Sequence, residues 1–215
     1  MRQTGLIDNN PVLKVQLPKI PHRLPKSLPS ASIASLWETL DHNDGSYSAI
    51  RDQALIGLLY GCGLRRSEVI GLTWQDYDKS RMTLRVLGKG GKYRQVPVGK
   101  NLQVILELLR NSSQNTWEEQ AHIQLILMDN GKPCYPKFVH NKVVAMLGTI
   151  TTAEKRSPHV LRHSMATHLM DQGAELNAVK SLLGHASLAA TQVYTHNSIS
   201  RLKEVYNHSH PTAKK

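Results

Sequence analysis

Most of this chain repeats its apolar residues at helical spacing, and one stretch does not. In RMTLRVLGKGGKYRQVPVG, residues 81–99, Met82, Leu84 and Val86 alternate with polar residues, and Tyr93, Gln95 and Val96 do so less regularly. The two runs flank a glycine-rich turn, GKGGK. A period of two around such a turn predicts a β-hairpin. On either side the period is helical. Ile33, Leu36, Trp37 and Leu40 mark a helix that starts at Ser30 and ends at DHNDG. Ile50, Ala54, Leu55, Leu58 and Leu59 mark a second, broken by Gly61 and Gly63, and RRSEVIGL reads as a short third. Residues 100–110 return to helix, NSSQNTWEEQ reads as a polar loop, and IQLILMDNGKP as a short extended run ending in a turn. KFVHNKVVAMLGTI predicts a helix. SPHVLRHSMATHLMDQG predicts another, with Ser157 as N-cap, Pro158 in the first helical position and Gly173 as C-cap. ELNAVKSLLG, SLAATQVYTH and ISRLKEVYNHSH complete the helical series. The expected fold class is α+β, mostly α-helical, with one small antiparallel sheet.

The 215 residues suit one domain of ordinary size, or one domain plus an arm. Aromatics are only 5% of the chain, so aliphatic residues must fill the core. No apolar run is long enough to span a bilayer and no signal peptide is seen, which makes the cytoplasm the expected location. Cys62 and Cys134 lie far apart and form no CxxC pair, against a disulfide framework or a zinc knuckle. The formal charge of +11 points to a polyanionic partner, nucleic acid first among them. Residues 1–29 stand apart. Prolines at 11, 18, 21, 25 and 29 forbid a helix, and Lys14, Lys19, His22, Arg23 and Lys26 lie between them. This segment is either a passive linker or a strap that tracks a phosphate backbone.

Four pieces carry chemistry: GLRRSEV at 63–69, GKGGK at 88–92, HVLR at 159–162 and GHASLAATQVYTH at 184–196. Singly each has a bland reading, as surface arginine, turn lysine or solvated helix residue. Together they share one logic. Arg65 and Arg162 offer two planar forks for phosphate oxygens. Guanidiniums and histidine N–H donors stabilise the charge that builds on a phosphodiester under attack. Tyr194 is a candidate covalent nucleophile, whose phenolate a cationic site stabilises. A lysine on a glycine turn can protonate the leaving alkoxide. Rival chemistries fit less well. His159 and His163 share a helix face, but no third zinc ligand follows at a standard spacing. Asp76 and Asp78 read as turn residues rather than as a magnesium cluster. GKGGK lacks the phosphate-loop frame GxxxxGK[ST].

GCGLRRSEVIGL, VLGKGGKYRQVPVG, SPHVLRHSMATHLMDQGAEL and LLGHASLAATQVYTH, in this order, resemble the blocks of the tyrosine recombinase catalytic domain, the phage-integrase family, and within it the Xer branch. LPKIPHRLPKSLP is similar to the Xer linker into that domain. The resemblance runs from about Asn9 to the tail. It implies linker over residues 1–29 and catalytic domain over 30–215, with a C-terminal helix and tail over 197–215. The N-terminal core-binding domain usual in the family has no counterpart in this sequence. Residue by residue, the resemblance makes Arg65 the first catalytic arginine and Glu68 its acidic partner. It makes Lys89 the general acid for the 5′ oxygen, with Lys92 the alternative on turn geometry. His159 and Arg162 become the His-x-x-Arg pair, His185 the second histidine and Tyr194, nine positions later, the nucleophile. Arg66, His163, His168, His196, Tyr93 and Tyr206 receive no catalytic role.

The implied activity is site-specific recombination through a 3′-phosphotyrosine intermediate and a Holliday junction, with no metal or nucleotide cofactor. The implied partners are double-stranded DNA bearing a specific site and further recombinase subunits, as a tetramer. Ile199, Leu202, Val205 and Tyr206 form an apolar stripe that either docks on a neighbouring subunit or packs on its own domain. The alternatives are a type IB-like topoisomerase, which religates the same strand, and a non-catalytic DNA-binding domain.

Overall fold

The computed structural model describes residues 27–41, 44–88, 90–117, 123–152 and 156–184. Within them α1 (Ser30–Asp41) and α2 (Tyr47–Ile56) are followed by a π-helical turn (Gly57–Gly61), α3 (Arg66–Gly71) and a 3-10 turn (Trp74–Asp76). Strands β1 (Tyr77–Asp78), β2 (Thr83–Leu87) and β3 (Tyr93–Pro97) come next, then α4 (Lys100–Thr116), α5 (Pro136–Gly148), α6 (Pro158–Asp171) and α7 (Leu176–Leu182). The mostly helical fold with a small sheet is as expected. No described helix is long and apolar enough to cross a membrane.

The core is built around α2 and its π-helical continuation. Ala54, Leu55, Ile56, Leu58 and Leu59 are all inaccessible to solvent. A helix apolar on every side must be covered on every side. α1, α4 and α5 pack on α2, and α6 packs on the π-helical turn. The break expected at Gly61 and Gly63 is modified. The helix continues to Gly61 with wider hydrogen bonds, Cys62 N–H donating to the Gly57 carbonyl at 3.0 Å. It stops at Gly63, where φ is +61°, a conformation that favours glycine. A methyl group added there would also fall 2.2 Å from the Met165 Cε of α6.

The sheet is antiparallel in the order β1-β2-β3, with Leu84 opposite Val96 and Val86 opposite Arg94. Leu84, Val86 and Val96 face the core, while Arg85, Leu87, Tyr93 and Gln95 face outward. The hairpin is as expected, but the inner row of its second strand is not Tyr93 and Gln95. Side chains alternate strictly along a strand, so a buried Val96 turns Arg94 inward with it. Met82, expected to join the inner row, sits instead in the turn before β2 with φ +55°.

One loop reading also changes. The helix expected over 100–110 runs on to Thr116, through part of the expected polar loop. Ser113 Oγ donates to the Arg110 carbonyl and Thr116 Oγ1 to the Ser112 carbonyl, at 2.9 and 2.8 Å, so these polar side chains stay within the helix. The IQLILMDNGKP run forms single bridges, Gln124 with Thr73 and Leu127 with Pro133, and turns at Gly131. At the end of α6, Ala174 N–H donates to the Leu169 carbonyl and Gly173 N–H to that of Met170, both at 2.9 Å. This is the Schellman closure that a positive-φ glycine permits.

Leu28, just before α1, is tied to α6. Its N–H donates to Ser164 Oγ and its carbonyl accepts from His168 Nε2, each at 2.8 Å. His168 Nδ1 lies 2.8 Å from the Tyr60 hydroxyl on the π-helical turn. A carbonyl only accepts, so Nε2 donates to Leu28, and Nδ1 shares a hydrogen bond with the Tyr60 hydroxyl. His168 is therefore a packing residue.

Arg51 is the largest buried charge. Its Nε donates to Asp52 Oδ1 at 2.9 Å, its Nη1 to Asp129, and its guanidinium lies 5.1 Å from the Phe138 ring centre. It joins α2, the turn before Gly131 and α5. Lys142 reaches Asp52 from the surface at 3.3 Å. Arg51→Ala is expected to cost about 2–5 kcal/mol, since it empties a fully buried side-chain site and leaves Asp52 without its arginine partner. Lys142→Ala should cost less than about 1 kcal/mol. Urea unfolding midpoints measure both.

Candidate active site

The described site gathers where the start of α3, the inner row of β3, the first turn of α6 and the end of α7 meet. Gly63 turns the chain sharply, and Arg65 follows in extended backbone as the residue before α3. Glu68 sits one turn into that helix. Its Oε2 accepts the Arg65 backbone N–H at 2.8 Å, one half of a capping box. An acid at this position also faces the positive end of the helix. The local sequence RRSE thus places a carboxylate at a helix start for ordinary folding reasons.

That carboxylate is then surrounded by cations. Arg65 Nη1 donates to Oε1 at 2.8 Å. Arg94, from β3, grips both oxygens, Nη1 to Oε1 at 2.9 Å and Nη2 to Oε2 at 2.8 Å. Arg162, from α6, holds its Nη1 at 3.7 Å from Oε2. Three guanidiniums and one carboxylate leave a net charge of two positive units. The side chains of Glu68, Arg94 and Arg162 are 4%, 8% and 9% exposed, and that of Arg65 is 30% exposed, so Arg65 is the arginine most open to an outside ligand.

Burial pushes the Glu68 carboxyl upward, but the hydrogen bonds and charge of Arg94, with those of Arg65, hold it below the usual carboxylate range. Burial, and then repulsion from Arg65, bring Arg162 down to about 10 against the pull of Glu68. It still carries its proton at neutral pH. Arg162 Nη1 donates to the Gly63 carbonyl and Nη2 to that of Leu183. Each of these nitrogens has a second N–H, and Nε adds another. One turn before Arg162, His159 is exposed at the start of α6. Residues three apart share a helix face, so the two belong to one edge of the site.

Arg65, Glu68 and Arg162 are therefore brought together, with His159 beside them. Lys89, His185 and Tyr194 lie outside the described residues, as do 1–26 and the 197–215 tail. The glycines that precede Lys89 and His185 both border the cluster. A methyl group added at Gly88 would lie 3.6 Å from Arg94 Nη1, and one added at Gly184 3.2 Å from Arg94 Cδ. Arg94 was not singled out by its sequence. The signal was its parity with Val96 on β3, which puts a charged residue in a core-facing row.

A family model described as the phage integrase family matches residues 26–201. The chain is 35% identical to tyrosine recombinase XerD of Halalkalibacterium halodurans, over 97% of this chain and 69% of that protein. It is 38% identical to tyrosine recombinase XerC of Alcanivorax borkumensis, over 100% of this chain and 70% of that one. Among solved structures it is similar to XerH site-specific recombinase bound to difH substrate in a pre-cleavage complex, at TM-score 0.67 and 26% identity, over 91% of this chain and 57% of that one. An integrase from mycobacterium phage Brujita shares the fold at TM-score 0.68 and 22% identity, over 98% of this chain and 67% of that one. The chain therefore belongs to the phage integrase family, the tyrosine-type site-specific DNA recombinases.

Proposed function

We propose that this enzyme exchanges DNA strands by two successive transesterifications at phosphorus, with Tyr194 as nucleophile. The Tyr194 oxygen, its phenolic proton lost to solvent, bonds to the scissile phosphorus and the bond from phosphorus to the 5′ oxygen breaks. Lys89 supplies the proton that turns that oxygen into a 5′-hydroxyl. A 5′-hydroxyl from a partner strand then attacks the 3′-phosphotyrosine and releases the tyrosine. One phosphoester replaces another in each step, so neither a nucleotide nor a metal is needed to drive the exchange. Arg65 and Arg162 hold the nonbridging oxygens, with His159 and His185 as further N–H donors. Glu68 holds the arginines in place.

The observation that carries this reading is the paired approach of Arg65 and Arg162 to one buried carboxylate at the start of α3. Two forks held together in a site that keeps a net positive charge suit an oxyanion that gains charge during reaction. The same reading includes duplex DNA with a specific site and a tetramer of recombinase subunits passing through a Holliday junction. It gives the apolar stripe of Ile199, Leu202, Val205 and Tyr206 the role of docking on a neighbouring subunit. Residues 1–29 serve as the linker that enters the catalytic domain over 30–215.

A library of nicked duplexes with randomised flanks tests the chemistry, because a nick next to the scissile bond lets the 5′ fragment diffuse away and traps the adduct. The unaltered chain is expected to capture a defined sequence covalently, and Tyr194→Phe to capture none. Capture by Tyr194→Phe, or none by the unaltered chain, overturns the assignment. On the captured sequence, affinity should fall by about 10³-fold or more between roughly 50 and 200 mM salt, as phosphate contacts release counterions. A salt-independent affinity contradicts DNA-backbone binding.

The Glu68 network also sets a pH dependence of stability. The carboxyl is held below its unfolded value of 4.5, so its contribution is complete above that value and disappears as pH falls through the folded one. Glu68→Gln should be about 3 kcal/mol less stable than the parent at neutral pH. The gap should close as the pH drops below the unfolded value, measured by urea unfolding across that range.

A further inference from the structure

Arg94 has no part in the reaction as just described, yet its guanidinium makes two hydrogen bonds to Glu68, where that of Arg65 makes one and that of Arg162 none. A carboxylate offers about four lone-pair sites. Arg94 fills one on each oxygen in a fork-to-fork pair, and Arg65 fills the rest with its backbone N–H and Nη1. The carboxylate is then saturated. Arg162 is left at 3.7 Å, beyond hydrogen-bond reach, with its N–H groups directed to backbone carbonyls.

The position of Arg94 is itself built. Its Nε donates to the Leu182 carbonyl at the end of α7, at 3.0 Å. Gly184 leaves room for it, since a methyl group there would meet Cδ at 3.2 Å, Nη1 at 3.3 Å and Cζ at 3.4 Å. The register opposite Val86 sends its side chain inward. With 8% of its side chain exposed against 30% for Arg65, it is poorly placed to meet a phosphate itself.

We propose that Arg94 is a positioning residue that occupies both oxygens of Glu68, keeping this carboxylate from drawing in Arg162 and the remaining N–H groups of Arg65 and leaving those groups available to the scissile phosphate. This rests on the reading of Arg65 and Arg162 as phosphate ligands. Without Arg94, each Glu68 oxygen loses a donor in a site nearly closed to water, a costly condition. Arg162 and Arg65 are the nearest cations, and they satisfy the carboxylate by turning N–H groups away from phosphate. The net charge of the cluster also falls from two positive units to one. Lysine cannot replace Arg94 fully, because a point charge does not span two oxygens as a planar fork does.

The test compares two substrates in single-turnover cleavage by the full chain on its captured site. One carries the natural phosphodiester. The other carries a methylphosphonate at the scissile position, which lacks one nonbridging oxygen and its negative charge and so demands less from the arginines. Arg94→Gln is expected to slow the phosphodiester by about 10²-fold and the methylphosphonate by less than about threefold. Arg94→Lys should fall between parent and Arg94→Gln on the phosphodiester, and it supplies the same comparison if Arg94→Gln does not fold. Equal slowing of both substrates by either variant marks Arg94 as a strut and overturns the proposal. Parental rates with Arg94→Lys overturn the requirement for a fork. Arg162→Ala is the control. If it too slows both substrates equally, the reading of the forks fails and takes the proposal with it. If Arg162→Ala spares the methylphosphonate and Arg94→Gln does not, the proposal alone fails.

Discussion

Among the described residues the Glu68 carboxylate is the one anion among three guanidiniums, and it holds together α3, β3 and α6, whose cations otherwise repel each other at this point. Two unit charges about 4 Å apart repel by about 4 kcal/mol at an effective dielectric constant of about 20. Bringing Arg65, Arg94 and Arg162 to one place without a counter-charge therefore carries a heavy penalty. With Glu68 present, each arginine gains an attraction that offsets part of the repulsion. The balance is incomplete by two positive units, and the proton affinity of Arg162 is lowered first by burial and then by repulsion from Arg65. An excess of positive charge held in a partly closed site has a physical use, since an incoming phosphate completes the neutralisation.

The backbone contributes as much as the ions. The π-helical turn after α2 ends the central helix at Gly63, whose carbonyl accepts from Arg162. π-turns inside α-helices are often found at functional sites, because they change the direction of the chain that follows. Here the chain passes close to Met165 of α6, and the positive φ at Gly63 strains any side chain placed there. Leu183 offers the second carbonyl, just after α7. Arg162 is thus oriented by two carbonyls from chain segments far apart in sequence. The same closeness that packs the core sets the direction of the guanidinium.

Much of this was legible in residue patterns, and the misses have definite causes. The helices of Ile33–Leu40, Ile50–Leu59 and Val160–Leu169 follow from their spacing. The four blocks that carry the resemblance named Arg65, Glu68, His159 and Arg162 before any geometry was known. Arg94 escaped because its role depends on a carboxylate 26 positions away. Short-range pattern reading sees Tyr93 as the apolar member of β3 and overlooks the parity set by Val96. The extension of α4 escaped for the opposite reason. A run of Ser, Asn and Gln looks like loop, but hydroxyls that bond back to their own helix cost it little.

α6 shows how one helix can serve packing and chemistry at once. Leu161, Met165 and Leu169, four residues apart, form its buried seam. Its first two turns present His159 and Arg162 to the site. Ser164 and His168, again four apart, bond the backbone of Leu28 ahead of α1. The helix dipole adds to this division, since its positive end lies at the turn that carries His159, one turn before Arg162. The opposite end is closed by Gly173 and finishes in solvent. Because one rigid rod carries both sets of contacts, the segment entering the domain and the arginine fork share a single frame of reference. Their separation is fixed by helical rise, about 1.5 Å per residue, rather than by loop conformation.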